Sequence, residues 1–333
     1  MSSAPSITHG GALEAPSRRR VPWRSVVNKP LGAIVVLWAV ATLCFFLQEL
    51  SPGDPAIAVL GGSGARPTAQ QIDAVNEQYG FNKPVLERYG EFIGNVAKGD
   101  LGTSYQYKQP VTTVIKEQIG PTLVLISVST ALAWLIAVAT TLFTTGRGRL
   151  RASVGSGLEA FFAGLPQYWL GLVLLVIFAF ELGWFPVTGG TSPQALVLPA
   201  LTLALPLAGF LGQVTRDEFE RGLKQPFAVS ARTRGASESE VRRRHVLRHA
   251  LLPGITLTGW AIGATISGAV LVEVIFARPG LGQVLVNAVS NQDLPVVVGV
   301  TLLIALIYVV VNLLVDLLYV LVDPRLRTSA QGA

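Results

Sequence analysis

The sequence predicts an all-α integral membrane protein with six transmembrane helices and an extracytoplasmic helical insert after the first. Three observations carry this. Only 14% of the 333 residues are charged, well below the roughly 25% of a soluble domain. Mean hydropathy is +0.51. The apolar residues also lie in long runs, and a helix needs about 20 of them to cross about 30 Å of hydrocarbon. Six runs qualify, at residues 30–49, 121–143, 157–182, 195–214, 255–276 and 296–322.

Short-loop cations orient these runs, because Lys and Arg favour the cytoplasmic side. Arg18, Arg19, Arg20, Arg24 and Lys29 precede the first run, and Arg147, Arg149 and Arg151 separate the second from the third. Gly183 to Gln194 carries neither Lys nor Arg. This pattern predicts cytoplasmic termini. The expected organisation is a basic tail over 1–29, a first transmembrane helix over 30–50, an insert over 51–119, a five-helix core over 120–323 containing a cytoplasmic loop at 215–254, and a tail over 324–333.

A cleaved signal peptide is the competing reading of the first run. Phe45, Phe46 and Leu47 extend that run past Cys44, and Leu43 is bulky where a cleavage site wants a small residue. The run reads as a retained helix. Cys44 is the only cysteine, which excludes an intramolecular disulfide. Within the insert, Ser51-Pro52-Gly53-Asp54-Pro55 ends the first helix. Thr68 to Gly80 and Pro84 to Lys98 have helical spacing, with Ile72, Val75 and Tyr79 on one face and Leu86, Tyr89, Phe92, Ile93 and Val96 on another. They are expected to pack as a small unit. Pro166 and Pro206 are expected to kink their runs.

The stretch SARTRGASESEVRRRHVLRHALLPG, residues 230–254, holds Arg232, Arg234, Arg242, Arg243, Arg244 and Arg248. Each Arg at a helix centre costs about 2.5–3.5 kcal/mol on the mildest scale, so the stretch stays in the cytoplasm. Nucleic-acid binding is disfavoured, since no aromatic residues are interleaved for stacking. A lipid-contacting topology signal and a docking element for a partner protein remain. Ala228 to Arg234 can form one helix and Gly235 breaks it. Ser237 and Glu240 then fit a capping box that opens a second helix, ended by Pro253. Two short helices joined at a glycine form an elbow.

This elbow resembles the cytoplasmic coupling loop of binding-protein-dependent ABC transporter permeases, whose signature is matched by Ala231, Gly235, Leu252 and Pro253. The resemblance extends to the dipeptide, oligopeptide and nickel branch. It is carried by Leu50 to Pro55, Lys98 to Ser104, Ala231 to Gly235, Glu273 to Gly282 and Asn312 to Arg325. Val229 and Ser230 replace the Glu-Ala of the general signature. The resemblance implies a type I ABC importer transmembrane domain in a bacterial inner membrane. It implies a second homologous permease subunit, two ATP-binding subunits and an extracytoplasmic substrate-binding protein as partners, and a di- or oligopeptide as solute. A nickel- or other solute-specific importer is the alternative, followed by an ATP-independent carrier or channel.

Under this resemblance Ala231, Arg232, Arg234, Gly235, Ala236, Leu252 and Pro253 couple the chain to the ATPase. Gly235 permits close approach, and Arg232 and Arg234 make charge-assisted contacts. An ordinary helix C-cap is the competing reading of Gly235. The chain contains no Gly-x-x-x-x-Gly-Lys-Ser/Thr sequence. It is therefore expected to be no enzyme and to bind no cofactor, with ATP and Mg used by partner subunits. His245 and His249 lie four apart among arginines that repel a cation, so no metal site is expected. Asp316, with Asn312 one turn earlier, is an expensive intramembrane acid expected to pair with a neighbouring helix. Glu273, with Arg278, Pro279 and Gly280, is expected at a gate or a subunit interface. Glu181 is expected to be exposed.

Overall fold

The computed structural model describes residues 23–50, 54–61, 66–187, 190 and 192–322. The expectations for the rest of the two tails, for Ser51 to Gly53 and for Asp323 lie outside the described residues. The helices, in chain order, are α1 Trp23–Leu50, α2 Pro55–Val59, α3 Ala69–Tyr79, α4 Val85–Ala97 and α5 Val111–Thr144. Next come α6 Arg149–Ala163, α7 Gln167–Leu174, α8 Pro193–Leu223, α9 Pro226–Thr233 and α10 Glu238–Glu240. The last described helices are α11 Leu247–Ile275, α12 Leu281–Ser290 and α13 Leu294–Val322. Wider i→i+5 turns at Leu175–Glu181 and Val241–Val246 extend α7 and join α10 to α11.

Among the described residues, four single helices are long and apolar enough to cross a membrane, and two bent pairs bring the number to six when each is taken as one span. The third apolar run belongs to one of these pairs, and the break falls where the kink at Pro166 is expected from the sequence. The pair bends by 101° between Arg149–Ala163 and Gln167–Glu181. Pro166 is the cause: it has no N–H to continue the ladder and drives Leu165 away from helical geometry. Pro253 is a correction. It lies inside α11 instead of ending a turn, and the bend comes later, 52° between Glu238–Gly259 and Ala261–Ile275. Pro206 sits within the continuous α8.

In lipid, helices associate through close backbone approach at small residues. Helix α8 meets this condition best, and 72% of its most apolar window is buried, against 11% for α1. Ala204, Ala208 and Leu211 of α8 pack on Ala133 and Ala137 of α5 and on Ala261 of α11. A Cβ on Gly209 would lie 2.5 Å from the Ala163 nitrogen and 2.6 Å from the Glu159 carbonyl, so α6 and α8 meet backbone to backbone. Leu125, Leu203, Ile266 and Val272 continue this core, and Val111, Ile115, Leu281, Val284, Val296 and Val300 close it where α12 and α13 join α5.

The insert helices fall where their spacing predicts. Thr68 caps α3 in a full capping box with Gln71. They do not form one unit, however. Val75 of α3 packs with Ala56, Val59 and Tyr105, whereas Phe92, Ile93 and Val96 of α4 pack on Ala41, Val298 and Leu302. Their apolar faces point to different neighbours, so each docks separately. Cys44 is half-buried against this second cluster.

Candidate functional site: the basic elbow

Pro226 opens α9 at its first turn, where a missing N–H costs nothing. Arg234 caps the other end. The Ala236 N–H donates to the Ala231 carbonyl at 3.1 Å and the Gly235 N–H to the Arg232 carbonyl at 2.9 Å, the paired bonds of a Schellman motif. Gly235 occupies the left-handed position this motif needs, with φ +89°, and a Cβ there would meet nothing of this chain within 4 Å. Its backbone therefore demands glycine, and its outer side stays open. Ser237 caps the next helix by accepting from the Glu240 N–H at 3.2 Å.

The inner side of the elbow is a small core of Ala228, Ala231, Val241, Val246 and Ala250 against Phe219 of α8. Ala231 is thus buried packing, 2% exposed, and not part of an outer contact surface. Arg232 is likewise engaged within the chain. It donates to Glu238 at 2.6 Å and to the Leu223 carbonyl at 3.2 Å, tying the first helix to the second. That pairing holds the Glu238 carboxyl below its usual range and raises the Arg232 guanidinium. Arg234 is exposed and donates to Ser230 Oγ at 2.6 Å. Ala236 is half-buried beside the core. Leu252 and Pro253 sit half-buried on α11 beyond Ala250. The outer face of α9 presents Phe227, 36% exposed, and Val229, 50% exposed. Phe227 also packs on His249, ring centroids 4.9 Å apart.

Three polar connections around this elbow and the opposite end escape sequence reasoning. Arg216 of α8 donates to both carboxylate oxygens of Glu159 on α6, at 2.6 and 2.8 Å, and to Thr144 Oγ1 of α5 at 2.6 Å. Arg242 donates to the Leu142 and Thr145 carbonyls at the end of α5, at 2.9 and 2.5 Å, with its guanidinium 5.0 Å from the Phe219 ring centroid. At the opposite end, Asp293 is fully buried and accepts from Ser104 Oγ and from the Tyr105 and Gln106 N–H groups, at 3.1 and 3.0 Å for the latter two. The available signal was Glu159: an acid in an apolar run demands a partner.

Glu273 has its partners within this chain. It is fully buried inside the chain, accepting from Thr122 Oγ1 at 2.6 Å and from the Gly282 N–H at 2.7 Å, while Thr122 accepts from the Leu281 N–H at 2.8 Å. Its carboxylate faces no outer surface of this chain. It ties α5, α11 and α12 together. Arg278 is buried and donates to the Gly190 carbonyl at 3.0 Å. Gly280 lies against the Glu273 carboxylate, and Pro279 sits in the turn between α11 and α12. Glu181 is exposed. Asn312 donates to the Tyr308 carbonyl of its own helix at 2.8 Å. The expectation for the Asp316 side chain falls outside the described side chains. Among the described residues, no group of three or more His, Cys, Asp and Glu is arranged to hold a metal.

The described residues thus form an all-helical bundle of apolar, membrane-length spans with a basic, partly open elbow at one end. Residues 129–328 match the family described as binding-protein-dependent transport system inner membrane component, and residues 23–126 match its N-terminal companion. The chain belongs to this family of inner-membrane permeases, whose role is transport and not enzymatic catalysis. It is 36% identical over 303 residues to the glutathione transport system permease protein GsiC of Salmonella choleraesuis (strain SC-B67), covering 91% of this chain and 98% of that protein. It is 34% identical over 314 residues, with the same coverage, to a putative peptide transport system permease protein of Brucella abortus (strain 2308). The crystal structure of an amino acid ABC transporter with histidines aligns at 18% identity and TM-score 0.48, over 64% of this chain and 94% of that one.

Proposed function

We propose that this chain is one permease subunit of an ATP-driven importer that moves di- or oligopeptides by alternating access. It pairs with a second homologous permease, receives solute from an extracytoplasmic binding protein, and is driven by two ATP-binding subunits that use ATP and Mg. Both termini and the elbow face the cytoplasm. The observation that carries this reading is the elbow itself. Its inner side is sealed by Ala228, Ala231 and Val241, while Phe227, Val229, Arg234 and the open side of Gly235 face outward. Exposed apolar side chains beside a cation suit a protein groove better than water. The peptide assignment draws on the names of the relatives, since glutathione is itself a tripeptide. The test is reconstitution of the full complex in vesicles with labelled dipeptide, glutathione and a nickel chelate offered in turn. Peptide uptake that requires ATP supports the reading, and uptake of the nickel chelate alone overturns the solute class.

A further inference from the structure

A displaced elbow has two routes into the bundle. The first is α11, which continues the elbow through the wider turn at Val241–Val246. That route is compliant. It carries Pro253 inside the helix and a 52° bend farther along, and each feature interrupts the backbone ladder that makes a helix stiff. The second route is α5. Arg242 is buried, its two hydrogen bonds grip the last carbonyls of α5, and its cation complements the negative end of that helix. From Thr144 back to Thr122 α5 is helical, about 33 Å at 1.5 Å per residue, close to the bilayer thickness. At that far end Thr122 holds Glu273 and Leu281 together.

We propose that Arg242 is a positioning residue for transport: it fastens the elbow to α5, so that elbow displacement drives α5 as a rod and reaches the Thr122–Glu273–Leu281 junction across the membrane. The proposal rests on the reading that an ATPase engages the elbow. Arg242 itself touches neither ATP nor solute. Arg216 reinforces the same body, because its bonds to Glu159 and Thr144 hold α6, α8 and the end of α5 together. Arg243 and Arg244, its neighbours in sequence, are exposed and make no such connection to α5.

The test uses the complete transporter in vesicles and reads retained ATPase subunits, ATP hydrolysis and solute moved per ATP. Arg242→Gln is expected to keep its ATPase subunits and hydrolysis while solute moved per ATP falls about tenfold, within the range of coupling changes seen for residues remote from ligand. Arg242→Lys, which keeps the cation, recovers part of the loss, and Arg243→Gln changes nothing. An unchanged ratio in Arg242→Gln overturns the inference, as does a loss that tracks release of the ATPase. A second measurement does not depend on the variant folding. Spin labels at Arg147→Cys and Arg243→Cys, in a Cys44→Ser background, should keep one separation in nucleotide-free and ATP-trapped states. A separation that changes between them shows that the elbow moves independently of α5 and overturns the proposal. A wild-type complex that retains no ATPase overturns the underlying functional reading; a coupled wild type beside an unchanged Arg242→Gln overturns this inference alone.

Discussion

Arg216 and Glu159 meet 57 residues apart through two hydrogen bonds of 2.6 and 2.8 Å, with both side chains 6% exposed or less. This geometry is bidentate, the strongest form of carboxylate recognition available to an arginine. Breaking one half leaves the other buried without its counter-charge. Glu159→Leu or Arg216→Met should each destabilise the purified chain by about 3–5 kcal/mol. The double variant should be milder than either single one, because it removes both charges at once. Thermal unfolding in detergent checks this, and additive losses would mean that the two side chains act independently.

Asp293 holds the loop that leads from the insert back into the bundle. Asp293→Ala removes the acceptor for Ser104 and for two backbone N–H groups. Each buried donor left unmet costs about 1–3 kcal/mol. Hydrogen exchange at the Tyr105 and Gln106 amides should accelerate by tenfold or more, by about the same energies, while the amides of α8 stay protected. Unchanged exchange in the loop would show that other contacts hold it.

Gly235 separates backbone demand from partner contact. Its left-handed φ charges any other residue about 1–2 kcal/mol, but a side chain there meets no atom of this chain. Gly235→Asp and Gly235→Trp should therefore insert and pair with the second permease normally. Both should abolish ATP-dependent uptake by preventing ATPase docking, measured by co-purification and vesicle uptake. Normal uptake with both variants would reduce the stretch to a topology signal.

Charge asymmetry gives each end of the bundle an expected side of the membrane. A reporter fused after Gly190 should be active outside the cytoplasm and one fused after Arg243 inside it. Opposite activities would invert the topology. Arg242 now carries a distinct expectation from Arg243 and Arg244, since it is buried against α5 whereas they are exposed. Neutralising the exposed pair should weaken orientation without loosening the elbow.

The sequence by itself determined the membrane class, the six apolar runs, the helices of the insert, the cap at Ser237 and the elbow with its glycine. These are properties of neighbouring residues: hydropathy over a span, helical spacing, and the chain's own capping bonds. Arg216–Glu159, the grip of Arg242 on α5, and the Asp293 and Glu273 junctions were decided only by the tertiary structure. Each joins groups on different helices. The chain shows only that a charge in an apolar setting needs a partner. Ala231 and Arg232 make the same point from the other side: their spacing marked the elbow, but which side faces a partner depended on Phe219 and Glu238 folding back against them. The kink at Pro166 was legible in the sequence, but its 101° angle and its direction were not. Hydropathy sums apolar area along a segment and carries no direction, whereas a missing N–H and the packing of α6 on Gly209 of α8 set where that segment points.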